Sequence, residues 1–137
     1  MKRIANRIFL LAAAALSLGT AAYGQTTLRA DVPFAFRSPG GVSASGKYTV
    51  QLENSPSGRI VRIVNTETRS SLLSVAYSVN ENPILPITPR LVFRCGETSG
   101  CALSEIWTST GGFGVPVKRV RRDPEILASV PLSVAHK

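Results

Sequence analysis

KYTVQLENSPSGRIVRIVN, Lys47 to Asn65, reads as strand, turn, strand. Tyr48, Val50 and Leu52 fall on one face, and Lys47, Thr49, Gln51 and Glu53 fall on the other. That period of two is the mark of a strand with one face buried. NSPSG, Asn54 to Gly58, carries turn chemistry. In the returning segment Val61 and Ile63 form the expected inward pair, while Ile60 and Val64 share their face with Arg62.

The same rhythm extends in both directions. In LRADVPFAF, Leu28, Ala30, Val32, Phe34 and Phe36 share a face. Pro33 has no N–H to give a ladder, which suits an edge or a strand opening. SPGG (Ser38 to Gly41) and NTETRS (Asn65 to Ser70) are turns. LLSVAYSV sets Leu73, Val75, Tyr77 and Val79 against Ser74, Ala76 and Ser78. NENPILPITP (Asn80 to Pro89) breaks the alternation with prolines three apart, the period of a polyproline helix. It reads as a stiff connection, or as a docking ligand for a groove. A hairpin from Arg90 to Thr108 follows. Leu91, Phe93 and Cys95 align on one arm, and Cys101, Leu103, Glu105 and Trp107 on the other. STGGFG, Ser109 to Gly114, reads as a loop that lacks the Lys-Ser or Lys-Thr of a phosphate loop. Asp123-Pro124-Glu125 has the form of a helix start, with a cap, Pro at the first position and a carboxylate near the positive end. The tail beyond it is expected to fray.

The expected fold is all-β: a single small antiparallel sandwich or barrel of about six strands with a short C-terminal helix. So few short strands do not fit an outer-membrane barrel, which needs at least eight of about 9–11 residues.

The first 24 residues follow a different logic. Lys2, Arg3 and Arg7 form a positive head, Ile8 to Leu18 an apolar run, and Ala22-Tyr23-Gly24 a cleavage-like end. This is the layout of a secretory signal peptide cut after Gly24. The mature chain would be Gln25 to Lys137, one β domain of 113 residues with a basic C-terminal segment. Losing three basic residues takes the formal charge from +8 to +5, which is ordinary for a soluble domain of this size. The expected location is periplasmic or extracellular, with no transmembrane segment after cleavage.

Export decides how the two cysteines are read. In an oxidising compartment Cys95 and Cys101 are expected to form a disulfide across the hairpin. Two free thiols are the alternative. A zinc site would need four ligands, and the only histidine is His136 in the tail. No catalytic residue, metal site or cofactor is expected: there is no positioned imidazole for a nucleophilic triad, and the acidic residues are scattered singly. The chain is therefore not read as an enzyme.

Two contact regions stand out. KRVRR places Lys118, Arg119, Arg121 and Arg122 together, either as a solvated segment or as a contact for an anionic partner such as an acidic polysaccharide. Export and the scarcity of aromatic residues leave nucleic acid an unexpected partner. Glu105 and Trp107 form a candidate ligand contact, with Tyr48 and Tyr77 as further aromatic candidates.

VPFAF (Val32 to Phe36), SGKYTV (Ser45 to Val50) and LVFRCGETSGCALSEIW (Leu91 to Trp107) carry a resemblance. The chain is similar to an uncharacterised family of small exported proteins common in acidobacteria. Its VPF-x-F strand, PAG-x-Y-x-V turn and strand, and LVF-x-R-x-G hairpin ending in L-x-E-I-W match these segments. Ala44-Ser45 stands where Pro-Ala is usual, and the cysteine pair departs from the commoner hairpin. The KRVRRDPEI tail is similar in place. These motifs are structural, so the resemblance implies a fold and export but no activity.

Two functional readings follow. The first is an exported, non-catalytic β domain that binds a partner at the cell envelope, such as an envelope protein or an anionic polysaccharide, or supports a surface assembly. The second is a carrier for a small apolar or sugar-like ligand, held inside a barrel by Glu105, Trp107 and inward aromatics.

Overall fold

A computed structural model describes residues 27–56, 58–79, 87–117 and 123–135. The leader, most of the proline-rich connection (80–86), KRVRR (118–122) and the final two residues lie outside the described residues.

The fold is all-β. The clean alternation of Lys47–Glu53 becomes β4 (Gly46–Ser55), which pairs antiparallel with β1 (Thr27–Val32) on one side and β5 (Gly58–Asn65) on the other. β6 (Ser71–Ser78) continues the ladder from β5. The turn between them is organised by buried Asn65, whose Oδ1 accepts hydrogen bonds from the amides of Glu67 and Thr68. The hairpin of β7 (Arg90–Gly96) and β8 (Gly100–Thr108) follows, and β9 (Gly111–Gly114) bridges β8 to the end of β6. A small hairpin, β2 (Phe36–Ser38) and β3 (Gly41–Ser43), joins β8 through a parallel contact at Cys101 and Ala102. The sheet is thus mixed.

Eleven strands appear among the described residues, not six, and the expected C-terminal helix is absent there. Glu125–Pro131 is β10, antiparallel to β7, and Ser133–Val134 is β11, antiparallel to β1. The residues that suggested a helix cap have another use. The Asp123 carboxylate accepts hydrogen bonds from the turn of the β7–β8 hairpin, and Ala128 and Val130 then continue with strand period onto Phe93 and Leu91. Ser109 to Gly114 was expected to be loop, but its last four residues form β9.

One ladder of hydrogen bonds runs β10-β7-β8-β9-β6-β5-β4-β1-β11. Its two ends are neighbouring parts of one chain segment, separated by Leu132. Buried Leu132 marks the crossing, and its amide donates to Pro89 O at 3.0 Å.

Inward residues from all the long strands meet in one core. Val32, Val50, Val61, Leu91, Phe93, Leu103, Ile106 and Val115 are almost wholly excluded from solvent. Burial of such a side chain contributes about 1.5–3 kcal/mol. Phe93 is the hub: Phe34 meets it edge-on at 4.9 Å between ring centroids and Phe36 at 5.3 Å, while Tyr48 packs on Phe36 at 5.3 Å. Edge-to-face geometry sets the positive rim of one ring against the negative face of another. Phe93→Ala is expected to cost about 3–5 kcal/mol, a large share of the ~5–15 kcal/mol that holds a small domain together. Urea denaturation followed by circular dichroism measures it.

Candidate functional site

β7 and β8 pair residue for residue from Gly96↔Gly100 to Phe93↔Leu103, and then the register shifts, so that Val92 faces Glu105. Ser104 is the extra residue, a β-bulge. It is held from two directions: Arg94 Nε donates to its hydroxyl at 3.2 Å, and its carbonyl accepts from Val115 N at 2.9 Å. The bulge reverses the facing of everything after it. Ile106 takes the inward place opposite Leu91, while Glu105 and Trp107 turn to the outer face beside Val92 and Arg90. The expected alignment of Glu105 and Trp107 with Leu103 therefore fails at one residue.

On that outer face Trp107 is only 4% exposed, yet it lies outside the contiguous core cluster. Its indole Nε1 donates to Glu105 Oε2 at 2.8 Å, which gives the carboxylate a partner. The Arg90 guanidinium lies 5.1 Å from the centre of the Trp107 ring. Beneath the ring is Gly112, where an added Cβ would meet three ring atoms at 2.8 Å. Next to it Tyr77 lies over Gly114 in the same manner, with a Cβ position 2.2 Å from the phenol ring. Two glycines thus allow two aromatic rings to lie against β9. Tyr48, by contrast, belongs to the core and donates its hydroxyl to Ala44 O.

Cys95 and Cys101 are directly opposite in register and form a disulfide. Glu97, Thr98 and Ser99 make the hairpin loop, and Gly100 follows with φ of 73°, the left-handed residue that such three-residue loops require. The Asp123 carboxylate gathers the loop: Oδ1 accepts from Glu97 N at 3.0 Å, and Oδ2 accepts from Ser99 N at 3.0 Å and Ser99 Oγ at 2.5 Å. The Ser99 hydroxyl, with the loop amides, holds the Asp123 pKa below its ordinary value. The disulfide and this carboxylate brace the same end of the hairpin.

The feature that sequence reasoning did not single out is β6. Its alternation is as expected, but the apolar face points outward. Leu73, Val75 and Tyr77 are 57%, 62% and 57% exposed, whereas Ala76 on the opposite face is buried. Half-buried Ile60 stands opposite Val75 and extends the row onto β5. Residue order held no decisive signal, because Arg59 and Arg62 on β5, opposite Ala76 and Leu73, fall on opposite faces. Arg59 turns to the inner side at the end of the core, its guanidinium 4.2 Å above the Phe113 ring, so small Ala76 is what fits beside it.

The depressions near these strands are open to solvent. One of about 400 Å³ lies at the Arg59–Phe113 end, and one of about 570 Å³ lies beside Arg29, Asp31 and Lys47. No cluster of His, Cys, Asp or Glu that could hold a metal occurs among the described residues. No described helix is long and apolar enough to cross a membrane. Lys118, Arg119, Arg121 and Arg122 lie outside the described residues. Compared with family models, curated proteins and solved structures, the chain matches none of them.

Two outcomes follow. Asp123→Ala should destabilise the protein at neutral pH. Because the folded-state pKa is lowered, the Asp123 contribution is fully present above the ordinary value of 3.8 and is lost as pH falls through the folded value. Melting curves of the variant and the parent should therefore differ at pH 7 and converge in acid; a constant difference would contradict the assignment. Gly112→Val should lift Trp107 off the sheet. As the protein has one tryptophan, a red shift of its emission reports this directly.

Proposed function

We propose that this chain is exported and serves as a non-catalytic docking domain of the cell envelope, holding a protein partner on the outer face of β5 and β6. The carrying observation is the outward row Leu73, Val75 and Tyr77. Scattered apolar side chains on a surface are ordinary, but a contiguous apolar row marks an interaction site. Covering each of these side chains would contribute up to about 1.5–3 kcal/mol. An apolar row favours a protein partner over an anionic polysaccharide.

Export is supported by the leader pattern and by the Cys95–Cys101 disulfide, which fits an oxidising compartment. The carrier reading has weaker support. Phe93, Leu103 and Ile106 fill the interior, and Glu105 and Trp107 occupy the outer face and bond to each other.

A photo-crosslinking amino acid at Val75, expressed in the native envelope, should give discrete adducts. The same group at exposed Glu67 should not. Replacing Leu73, Val75 and Tyr77 together by Ser should leave the melting temperature within a few degrees and abolish complexes captured from neighbouring β5 positions. Adducts at Val75 no more discrete than those at Glu67 would remove the docking reading.

A further inference from the structure

β6 is bonded on its two sides to different extents. β5 follows it from Ser71 to Ala76, but β9 reaches only its end, pairing with Tyr77 and Ser78 and accepting from Val79 N at Gly112 O. Beyond β9 the chain turns toward β8, where Val115 N bonds Ser104 O. Along Ser71–Ala76 that side of β6 has no strand partner among the described residues. Across the gap is β3, which pairs with β2 alone. A cleft of about 420 Å³ separates the two free edges, with Gly41 and Ser43 on one wall, Ser71 and Leu72 on the other, and Tyr48 and Ile63 in the floor.

Two properties of this cleft define an occupant. Every residue lining it is uncharged. A charged side chain entering it would lose water without gaining a counter-ion. Its walls are edges without a strand partner among the described residues, whose outward backbone groups match another extended backbone; Val75 O accepts from Ser74 Oγ and Gly41 O from Ser38 Oγ, bonds that an incoming strand would replace. Exposed edges are commonly protected by Lys, Pro or inward charge. β6 carries none of these, whereas every other described strand of six or more residues has at least one charged side chain. At one end the β2–β3 turn leans on β6: a Cβ at Gly40 would come within 2.3 Å of Leu72 Cδ1.

We propose that the cleft is a strand-acceptor slot, which takes an extended, uncharged segment of the partner polypeptide between β6 and β3. The incoming strand completes the wall of the sheet, sets an apolar side chain onto Leu72 and Ile63, and extends the face that carries Leu73, Val75 and Tyr77. Main-chain bonds supply affinity in this mode and alternate side chains supply selectivity. The inference rests on the docking reading above and specifies how that partner is held.

Hydrogen–deuterium exchange on the intact, oxidised protein tests it. The probe is a capped peptide copying Ser71 to Val79, the uncharged strand of this chain, and the control has Lys at three alternate positions. In the free protein, the amides that face the cleft, those of Ser71, Leu73 and Val75 on β6 and the unpaired ones of Gly41–Ser43, should exchange faster than those of Val61 and Ile63. The peptide should slow them at least tenfold, and the control should not. Ser71→Glu, at an exposed position on the wall, should weaken peptide binding at least tenfold. The Leu73, Val75, Tyr77 to Ser variant should still bind it. Edge amides already as protected as those of β5 would mean that the chain fills its own slot, and would overturn the proposal. Protection that grows with protein concentration, without peptide, would hand the slot to a second copy and overturn it equally. If the peptide fails while crosslinks at Val75 persist, the slot is wrong and the docking face stands; if both fail, the docking reading falls as well.

Discussion

The structure turns on one extra residue, Ser104. Without a bulge at that point, β8 would keep the phase set by Cys101 and Leu103, and would drive Glu105 and Trp107 into an interior already filled by Phe93 and Leu91. Burying an uncompensated carboxylate there would cost several kcal/mol or force it to take up a proton. The bulge gives Ile106 the inward place instead and leaves Glu105 where the indole of Trp107 can bond it. Arg94 and Val115 hold the bulge through the Ser104 hydroxyl and carbonyl. The outer face of the molecule is therefore a product of that same residue.

The two faces of the sheet follow different rules. Inside, large aliphatic and aromatic side chains from all the long strands interlock around Phe93. Outside, the chain alternates between covered and uncovered apolar surface. Over β8 and β9, Trp107 is nearly inaccessible, with Arg90 and Glu105 around it. Over β6, Leu73 and Val75 stand in solvent. The glycines of β9 mark the boundary, because they are where the rings of Trp107 and Tyr77 rest. The uncovered side is the one next to the incomplete stretch of ladder, so apolar surface and free backbone coincide.

Much of this was legible from residue order. Strands β4 and β5 announce themselves through the alternation around Val50 and Val61, and the cysteine pair was placed across its hairpin. What escaped has physical reasons. A bulge adds one residue and leaves no trace in composition. β2, β3, β9 and β11 are two to four residues long, too short for periodicity to register. Asp123-Pro124-Glu125 satisfies the local rules for a helix cap, but the amides of Glu97 and Ser99 compete for the same carboxylate from 24 to 26 residues away and prevail. The face of β6 was ambiguous for another reason: alternation says which residues lie together, not which side faces the core, and only the position of Arg59 over Phe113 decides it.

The segment from Glu125 to Val134 serves both ends of the ladder, and this has a consequence for the order of assembly. Until Glu125–Pro131 has emerged β7 lacks one neighbour, and until Ser133 has emerged β1 lacks one too, although β1 can already zip onto β4 and β7 onto β8. The pairing of β1 with β11 joins residues about a hundred positions apart, a contact of the kind that forms late and slowly. A chain that crosses a membrane in an extended state would thus be kept from finishing its fold by its own connectivity. The last strands in the sequence are the ones that complete the pairing of β7 and β1.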